Sequence, residues 1–352
     1  MKDTICKVVS TWICEEAEAF SGVISVTGNN GVLYQQAIGA RNKAEDLPNT
    51  IETAFGIASG TKLFTGLAIC KLIDSGKLSL EDKLCDLLAF DLGKIDKRIT
   101  VSHLLTHTSG VGDYLDDEDD DVIEKITATY ERYPVHLWTN LEYYLQLFTH
   151  LPPKFEPGER YGYSNTGYIL LGLVVEAVSG CSYQNFVTDE IIIPNNLTHT
   201  GFYRMNQLPP NVAAGYTKNE ETGEIRTNIY DTPIVGGSDG GIYSCVEDLD
   251  KVWRAIVANK ILSPEMTGAF LSPQIQRDNE DDERYYGFGL YYFKDEDNEE
   301  KIFHYALGCD AGVNIFTAYF PKLGITASAL GNLEDVEVIP LMYEIAELLY
   351  DN

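Results

Sequence analysis

Hydrophobic positions repeat with two different periods along the chain. Near the N-terminus, Ile5, Val8, Val9 and Trp12 recur at the spacing of one helical face, which predicts an amphipathic surface helix. Residues 22–39 then alternate apolar and other residues on either side of an Asn-Asn-Gly turn, a pattern typical of a β-hairpin.

From Lys62 to about residue 180 the hydrophobic period changes to about 3.6, which predicts a mostly helical middle region. Its first segment ends at Gly76, a residue type that commonly terminates helices. Strand patterns return between residues 287 and 332 with the spacing of an antiparallel meander, and residues 339–350 have the pattern of a closing helix.

The order of these patterns predicts an α/β (α+β) fold. We expect an antiparallel sheet flanked by the two terminal helices, with an all-helical subdomain inserted into it. Residues 1–58 plus 232–352 are predicted to form the sheet subdomain and residues 59–231 the mostly helical one. The functional site is expected at their interface.

The net charge of the chain limits its expected partners. The 352 residues are 44% hydrophobic and 23% charged, as in ordinary globular proteins, but the formal net charge is −28. Segments 113–124, 278–300 and 323–352 carry −8, −8 and −6 of it. Such a surface repels phosphates, so neither nucleic acid nor an anionic membrane is an expected partner. The acidic run 116–121 lacks the glycine and terminal glutamate of a calcium loop, so we expect a solvated loop without a metal.

The cysteines and the N-terminal segment indicate the cellular compartment of the protein. The seven cysteines are odd in number and include no C-x-x-C pair, which favours reduced thiols and a reducing compartment. The first apolar stretch is interrupted by Lys7, Ser10 and Thr11 and is followed by Glu15 and Glu16, unlike the apolar core of a secretory signal. No apolar run reaches the roughly 18 residues of a membrane span. We therefore expect a cytoplasmic protein; the sequence carries no signal for its oligomeric state.

Ser59 and Lys62 form the one S-x-x-K motif in the chain, where an extended segment meets the start of a helix. One helical turn of separation brings the amine to the serine hydroxyl, and a buried lysine can accept the hydroxyl proton and activate the serine as a nucleophile. The helix start favours the negative charge that develops there. A chain of this length contains about one such motif by chance, so the motif alone is weak.

A second candidate lies in a glycine-rich turn before a strongly apolar helix, as Tyr163-Ser164-Asn165. A tyrosine oxygen can relay a proton between nucleophile, lysine and leaving group, and an asparagine amide two residues later can hold a substrate carbonyl. The alternative is an ordinary turn in which Ser164 caps the helix.

Together these segments resemble the serine β-lactamase, penicillin-binding protein and esterase superfamily, especially its class C-like branch. The resemblance covers nearly the whole chain and rests on four segments in family order: FGIASGTKLFTGLAICKLIDSGKLSLEDKL, ITVSHLLTHTSGV, FEPGERYGYSNTGY and GGSDGGIYSCVEDLDKV. It implies that Ser59 is the acylated nucleophile and Lys62 its proton partner. It also implies that Tyr163 is the general base and acid, and that Asn165 binds the substrate amide.

The third family element departs from its pattern. Members of the family carry lysine or histidine, any residue, then glycine, and here Ala306 takes the place of the cation. His304, on the same strand face by alternation, either compensates or is an ordinary sheet histidine. Gly308 would let substrate approach, and the backbone N–H groups of Ser59 and Cys309 would form the oxyanion hole.

The missing cation favours neutral esters or amides over β-lactams and peptidoglycan peptides. Acidic segments 113–124 and 295–300 adjoin the motifs, and we expect them to rim the site and repel carboxylates. The resemblance implies a serine hydrolase with esterase, D-aminopeptidase or β-lactam-acylating activity on a small ester, amide or β-lactam, with no cofactor and no metal. The alternative is a non-catalytic or slowly acylating penicillin-binding homologue.

Two rival motifs are weaker. The segment Gly236-Gly237-Ser238-Asp239-Gly240 matches G-x-S-x-G, but it lacks the preceding strand and following helix of a nucleophile elbow. His103 and His107 lie one turn apart but lack the glutamate of a zinc-protease helix, so they are expected to be structural.

Overall fold

The computed structural model describes residues 2–16, 20–116, 121–219, 222–277, 284–295, 298, 300–333 and 336–350. Its helices are α1 (Lys2–Glu16), α2 (Thr61–Asp74), α3 (Leu84–Leu87), α4 (Val101–Leu105), α5 (Val122–Arg132), α6 (Leu145–Phe148), α7 (Asn165–Ser179), α8 (Tyr183–Val187), α9 (Val246–Val257), α10 (Pro264–Phe270) and α11 (Ile339–Tyr350). Its strands are β1 (Gly22–Gly28), β2 (Gly31–Ile38), β3 (Ala40–Asn42), β4 (Leu47–Pro48), β5 (Phe55–Gly56), β6 (Tyr216–Lys218), β7 (Ile225–Thr227), β8 (Tyr243–Ser244), β9 (Ile275–Gln276), β10 (Arg284–Tyr286), β11 (Tyr291–Lys294), β12 (Ile302–Asp310), β13 (Val313–Phe320) and β14 (Ile325–Gly331).

Eight strands form one sheet in the order β2-β1-β14-β13-β12-β11-β10-β9, and neighbouring strands are antiparallel throughout. The first strand therefore pairs with the last, so that Gly22 lies opposite Gly331. This pairing joins the two ends of the chain into one sheet. The predicted α/β fold with a large antiparallel sheet is confirmed.

The two faces of the sheet are covered by different parts of the chain. Helices α1 and α11 pack together on one face, where Ile5, Val9 and Ile345 are fully buried beside Phe316. Helix α9 crosses the other face at β14 and β1, and a larger core joins that face to α2 and α7. The amphipathic N-terminal helix, the closing helix and the 22–38 hairpin all occur where the periodicity predicts them.

The middle region is less helical than its periodicity suggests. Helix α2 ends at Asp74 and is followed by Gly76 in the left-handed region, as expected. The later part differs: residues 141–148 form a 3₁₀ turn and a single α-helical turn, and residues 216–227 form the β6–β7 hairpin. The boundaries between the sheet subdomain and the helical subdomain, at residues 58/59 and 231/232, stay a prediction.

None of the helices in the described ranges is by itself long and apolar enough to cross a bilayer. One pair, Asn165–Ser179 with Tyr183–Ile192, reaches that length and composition together, with a bend of 78° between its members.

Candidate active site

Ser59 lies in a single 3₁₀ turn, Ala58–Gly60, that leads directly into α2. Ala58 has a φ of +43°, in the left-handed region where a non-glycine residue costs about 1–2 kcal/mol. The Thr61 hydroxyl fixes this turn, because it donates to the Ala58 carbonyl at 2.7 Å and accepts from the Ile242 N–H at 3.0 Å. Ser59 is thus held at the helix start by a conformation that the surrounding structure imposes.

Lys62 lies one turn later and is only 2% exposed. Its Nζ donates to the Ser59 Oγ at 3.1 Å, to the Asn165 Oδ1 at 2.8 Å and to the Asp239 carbonyl at 2.7 Å. These three acceptors come from three separate segments of the chain. They orient the Lys62 amine toward the Ser59 hydroxyl. They also replace the hydrogen bonds to water that the amine loses on burial.

Tyr163 completes the arrangement from the turn before α7. Its hydroxyl donates to the Ser59 Oγ at 2.9 Å, and its ring lies 4.9 Å from the Lys62 Nζ. The Ser164 hydroxyl accepts from the Gly167 N–H at 3.0 Å and caps α7, as the alternative interpretation of that serine proposed. The capping role and the tyrosine contact therefore coexist in one turn.

His107 packs against the ring of Tyr163. Its ring centroid lies 4.4 Å from that of Tyr163, and its Nδ1 accepts from the Ser164 N–H at 3.1 Å. Burial, followed by the charges of Lys62 and Arg277, holds the pKa of His107 well below its usual range, so the imidazole is neutral. His107 is a packing and hydrogen-bonding residue, in line with the structural role expected from sequence.

Asp113 holds Asn165 in place. Its carboxylate accepts from the Asn165 N–H at 2.7 Å, and also from the N–H (3.0 Å) and hydroxyl (2.9 Å) of Thr166. The Asn165 amide in turn donates to the Leu115 carbonyl at 3.1 Å. Burial raises the pKa of Asp113 to about 6, although its hydrogen bonds act in the opposite direction. No local sequence pattern predicts this role for Asp113, which the sequence places only within the acidic segment 113–124.

Strand β12 lies against the Ser59 turn at Gly308. A Cβ atom on Gly308 would meet the Ile57 carbonyl oxygen at 2.1 Å, so only glycine permits this approach. The close contact brings Cys309, which is exposed, to the same cavities that Ser59 lines.

His304 is placed away from these residues. Its Nε2 donates to the Leu271 carbonyl at 2.9 Å, it is 5% exposed, and it lines neither cavity at Ser59. Burial lowers the pKa of His304 to about 4, so its ring is neutral at physiological pH. Ala306 is also buried and outside both cavities. Of the two alternatives for His304, the geometry favours the sheet histidine.

Two cavities meet at Ser59, and Cys309 lines both. We call the smaller, of about 110 Å³, the aromatic cavity; Asn165, Asp239 and six aromatic side chains line it. We call the larger, of about 690 Å³, the open cavity; Tyr163 and Arg277 line it. Ser59 therefore borders two distinct cavities.

Arg277 is a cation that sequence reasoning missed. Its guanidinium carbon lies 5.1 Å from the ring centroid of Tyr291 and 5.6 Å from that of Tyr161, within the wall of the open cavity. It follows the short strand β9, and only the pairing of β9 with β10 at the sheet edge brings it near the site. A positive side chain thus faces the Ser59 region although Ala306 is neutral.

The acidic rim expected around the site is only partly within the described residues. Residues 117–120, 296–297 and 299 of the two rim segments lie outside them. Among those described, Asp116 is paired with Lys154 at 2.7 Å and Asp295 with Lys301 at 3.6 Å. The rim therefore stays a prediction.

The rival nucleophile Ser238 is fully buried. Its segment instead holds the helix that bears Lys62, because the Thr65 hydroxyl donates to the Ser238 carbonyl at 2.6 Å. No strand of the described chain leads directly into this segment and no helix follows it directly, so an elbow is not formed.

Among the residues that the structure describes, one cluster could supply metal ligands: donor atoms of His199, Cys245 and Asp248 lie within 4.8 Å of one another. The Asp248 carboxylate is already occupied by the Lys251 ammonium at 2.7 Å. Burial also raises the pKa of the Cys245 thiol to about 12, which keeps it protonated. A cation and a protonated thiol are unsuited to a metal site.

The fold and this serine-centred site agree with comparisons to known proteins. A penicillin-binding protein from Bacillus halodurans has 34% sequence identity and a TM-score of 0.86, covering 99% of this chain and 100% of that one. An octameric penicillin-binding protein homologue from Pyrococcus abyssi has 28% identity and a TM-score of 0.82, covering 99% and 77%.

Sequence comparison gives the same result. Penicillin-binding protein 4* of Bacillus subtilis (strain 168) is 29% identical over 286 residues, which is 78% of this chain and 60% of that protein. The chain thus spans less than two thirds of the length of these curated relatives, since it covers 60% of that protein and 41% of protein flp of Staphylococcus aureus. The family model described as Beta-lactamase matches residues 9–348, so the chain belongs to the beta-lactamase family. Members of this family are serine hydrolases.

Proposed function

We propose that this protein is a serine hydrolase that forms an acyl-enzyme at Ser59 and acts on small esters or amides. The observation that carries the proposal is the hydrogen-bonded set in which the Lys62 Nζ and the Tyr163 hydroxyl both lie within 3.1 Å of the Ser59 Oγ. A nucleophile within hydrogen-bond reach of a base, together with a third group that orients the base, is the structural signature of nucleophilic catalysis. The Asn165 and Asp239 oxygens supply that orientation for Lys62.

Acylation proceeds in two balanced steps. The Ser59 Oγ forms a bond to the substrate carbonyl carbon while its proton passes to the Tyr163 oxygen. For this step Tyr163 first loses to solvent the hydroxyl proton that it donates to Ser59 in the structure, and the adjacent Lys62 ammonium stabilises the resulting phenolate. The carbonyl becomes a tetrahedral oxyanion. That oxyanion then collapses, the bond to the leaving group breaks, and the proton passes from Tyr163 to the departing oxygen or nitrogen.

The oxyanion needs donors where its charge develops. We assign this role to the backbone N–H groups of Ser59 and Cys309, because Gly308 lies against the Ile57 carbonyl and Cys309 lines both cavities at Ser59. Removing one such donor typically slows an acyl transfer by about 10²–10³-fold. We assign the Asn165 side chain to the acyl part of the substrate, where its amide would bind a carbonyl.

Deacylation reverses the roles. A water molecule gives its proton to the Tyr163–Lys62 pair while its oxygen attacks the acyl carbon. The Ser59 Oγ then leaves and recovers that proton, so the free acid departs and the enzyme returns to its starting state.

The test is intact-mass analysis after exposure to p-nitrophenyl acetate and, separately, to a fluorescent penicillin. We expect one acyl adduct that disappears in Ser59→Ala and persists in Ser272→Ala, a serine on an exposed surface outside both cavities. Tyr163→Phe should slow acylation by about 10²–10⁴-fold. The proposal fails if no probe acylates the wild type or if the adduct survives Ser59→Ala.

A second candidate is a penicillin-binding homologue that is acylated but releases the acyl group slowly. Ala306 favours it, because the cation usual at that strand position is absent. A burst of p-nitrophenol equal to the enzyme concentration, without steady release, distinguishes this behaviour from turnover.

A further inference from the structure

Asp239 contacts the site through both its backbone and its side chain. Its carbonyl oxygen accepts from the Lys62 Nζ at 2.7 Å, and its carboxylate accepts from the Tyr114 hydroxyl. Asp239 is 7% exposed and lines the aromatic cavity together with Ser59. A single buried residue thus connects the Lys62 amine to Tyr114.

Tyr114 belongs to the segment that also holds Asn165, another acceptor of the Lys62 amine. The carboxylate of the preceding residue, Asp113, accepts from the Asn165 N–H at 2.7 Å, and the Asn165 Oδ1 accepts from the Lys62 Nζ at 2.8 Å. The segment therefore connects two acceptors of one amine. The hydrogen bond from Tyr114 to Asp239 closes this connection into a circuit, which we call the Lys62 circuit.

The buried amine of Lys62 also needs a compensating negative charge if it is to be an ammonium. The acceptors of its Nζ described above are the Ser59 hydroxyl, the Asn165 amide and the Asp239 carbonyl, and all three are uncharged. Burial raises the pKa of the Asp239 carboxyl, while the charge of Lys62 and then the hydrogen bond from Tyr114 act in the opposite direction. Because this electrostatic interaction is mutual, the Asp239 carboxylate favours the ammonium form of Lys62.

The other titratable groups around Asp239 differ from it in charge or in exposure. Burial raises the pKa of the phenols that interact with it electrostatically, which are those of Tyr114, Tyr130, Tyr144 and Tyr183. These phenols are therefore neutral below about pH 10. Asp310 lines the same cavity but is exposed, so water and salt screen its charge. Burial raises the pKa of Asp113 to about 6, so it is ionised above neutral pH.

We propose that Asp239 is a positioning residue for catalysis: its hydrogen bond from Tyr114 fixes the acceptors of Lys62, and its carboxylate keeps the Lys62 amine protonated. This inference rests on the proposed hydrolase function, in which the Lys62 ammonium stabilises the Tyr163 phenolate that takes the Ser59 proton. Asp239 does not touch the reacting atoms and acts through Lys62.

The charge of Asp239 acts on both limbs of the pH–rate profile in the same direction. Acylation needs the phenolate of Tyr163, which gives the acidic limb, and the ammonium of Lys62, which gives the alkaline limb. A nearby carboxylate disfavours the phenolate and favours the ammonium. Removing the carboxylate therefore moves both limbs to lower pH. A purely structural loss lowers the rate and leaves the limbs where they are.

The experiment measures the second-order rate constant for acylation of Ser59 by p-nitrophenyl acetate between about pH 6 and 10, corrected for spontaneous hydrolysis of the ester. Asp239→Asn keeps the size of the side chain and an oxygen that accepts from Tyr114, but it removes the charge. We expect both limbs to move to lower pH, the alkaline limb by about one unit or more.

Tyr114→Phe makes the complementary change, because it keeps the carboxylate and opens the Lys62 circuit. We expect the maximum acylation rate to fall by about 10–10²-fold, since the acceptors of the amine are no longer fixed relative to each other. The limbs should move much less than in Asp239→Asn. This variant tests the circuit even if Asp239→Asn fails to fold.

Each variant has a matched control outside both cavities. Asp189→Asn makes the same change in net charge on an exposed residue. Tyr143→Phe removes a hydroxyl from a ring that packs against Trp138 at a centroid distance of 6.1 Å, as the ring of Tyr114 does at 6.0 Å. Both controls should give the wild-type profile.

Wild-type limb positions in Asp239→Asn, or acylation by Tyr114→Phe that is as fast as by Tyr143→Phe, overturn the inference while the hydrolase function stands. If the wild-type protein is not acylated at Ser59, the hydrolase function itself fails and the inference fails with it.

Discussion

Replacing Gly308 with alanine tests the contact that joins β12 to the Ser59 turn. The new Cβ would lie 2.1 Å from the Ile57 carbonyl oxygen and 3.1 Å from the Ile315 Cγ1. Carbon and carbonyl oxygen normally stay about 3.3 Å apart even in favourable contacts, so strand and turn must separate by about 1 Å. A misplacement of about 1 Å at a reacting centre costs about 10²-fold in rate. Overpacking of this kind also destabilises by about 1–3 kcal/mol.

Gly268→Ala is the control, because this glycine is exposed within α10 and a Cβ there meets nothing within 4 Å. Alanine should stabilise that helix by about 0.5–1 kcal/mol and leave acylation unchanged. The assay is stopped-flow acylation of Ser59 by p-nitrophenyl acetate, with urea unfolding of each variant in parallel. A Gly308→Ala protein that acylates at the wild-type rate would refute the view that this contact positions the oxyanion donors.

Three further predictions concern side chains near Ser59. Because burial raises the pKa of Asp113 to about 6, the folded protein takes up a proton between about pH 6 and 4 that the unfolded chain does not. The free energy of unfolding of the wild type relative to Asp113→Asn should therefore increase as pH falls from 7 to 4, by up to about 3 kcal/mol. Urea unfolding at both pH values measures this, and a difference independent of pH contradicts it. Arg277→Met should lower kcat/KM for acetyl esters of 3-hydroxybenzoate several-fold more than for phenyl acetate, because the guanidinium lines the open cavity together with Tyr163, the proposed proton donor to the leaving group. Equal losses on both esters would exclude such a role. Iodoacetamide should slow wild-type acylation by alkylating the exposed Cys309, and Cys309→Ser should be resistant; equal sensitivity of the two proteins would place the effect elsewhere.

The nucleophile segment could be predicted from sequence because its determinants are local. The three-residue spacing of Ser59 and Lys62 fixes their relative position on one helical turn, and the apolar run after Asn165 fixes the start of α7. The helix and hairpin patterns of α1, β1 and β2 were equally local, and the structure contains all three elements.

The third family element shows what local sequence patterns could not predict. Alternation correctly placed His304 and Ala306 on one face of β12, but it could not tell whether that face lines the cavity. Both side chains are buried, and the carbonyl that accepts from His304 belongs to Leu271, 33 positions away in sequence. Arg277, the cation that does line a cavity, belongs to a strand of two residues with no periodic signal of its own.

The sequence by itself therefore determined the class of fold and indicated the candidate catalytic residues, because helical and strand periods and short motif spacings are properties of neighbouring positions. The tertiary structure decided how those residues are held and what surrounds them. Lys62 meets acceptors 103 and 177 positions away, and the residues that line the aromatic cavity come from strands, helices and loops between residues 56 and 313. Such contacts follow from how the elements pack and not from any local pattern, so the charge and size of the substrate cavity emerge only in the folded chain.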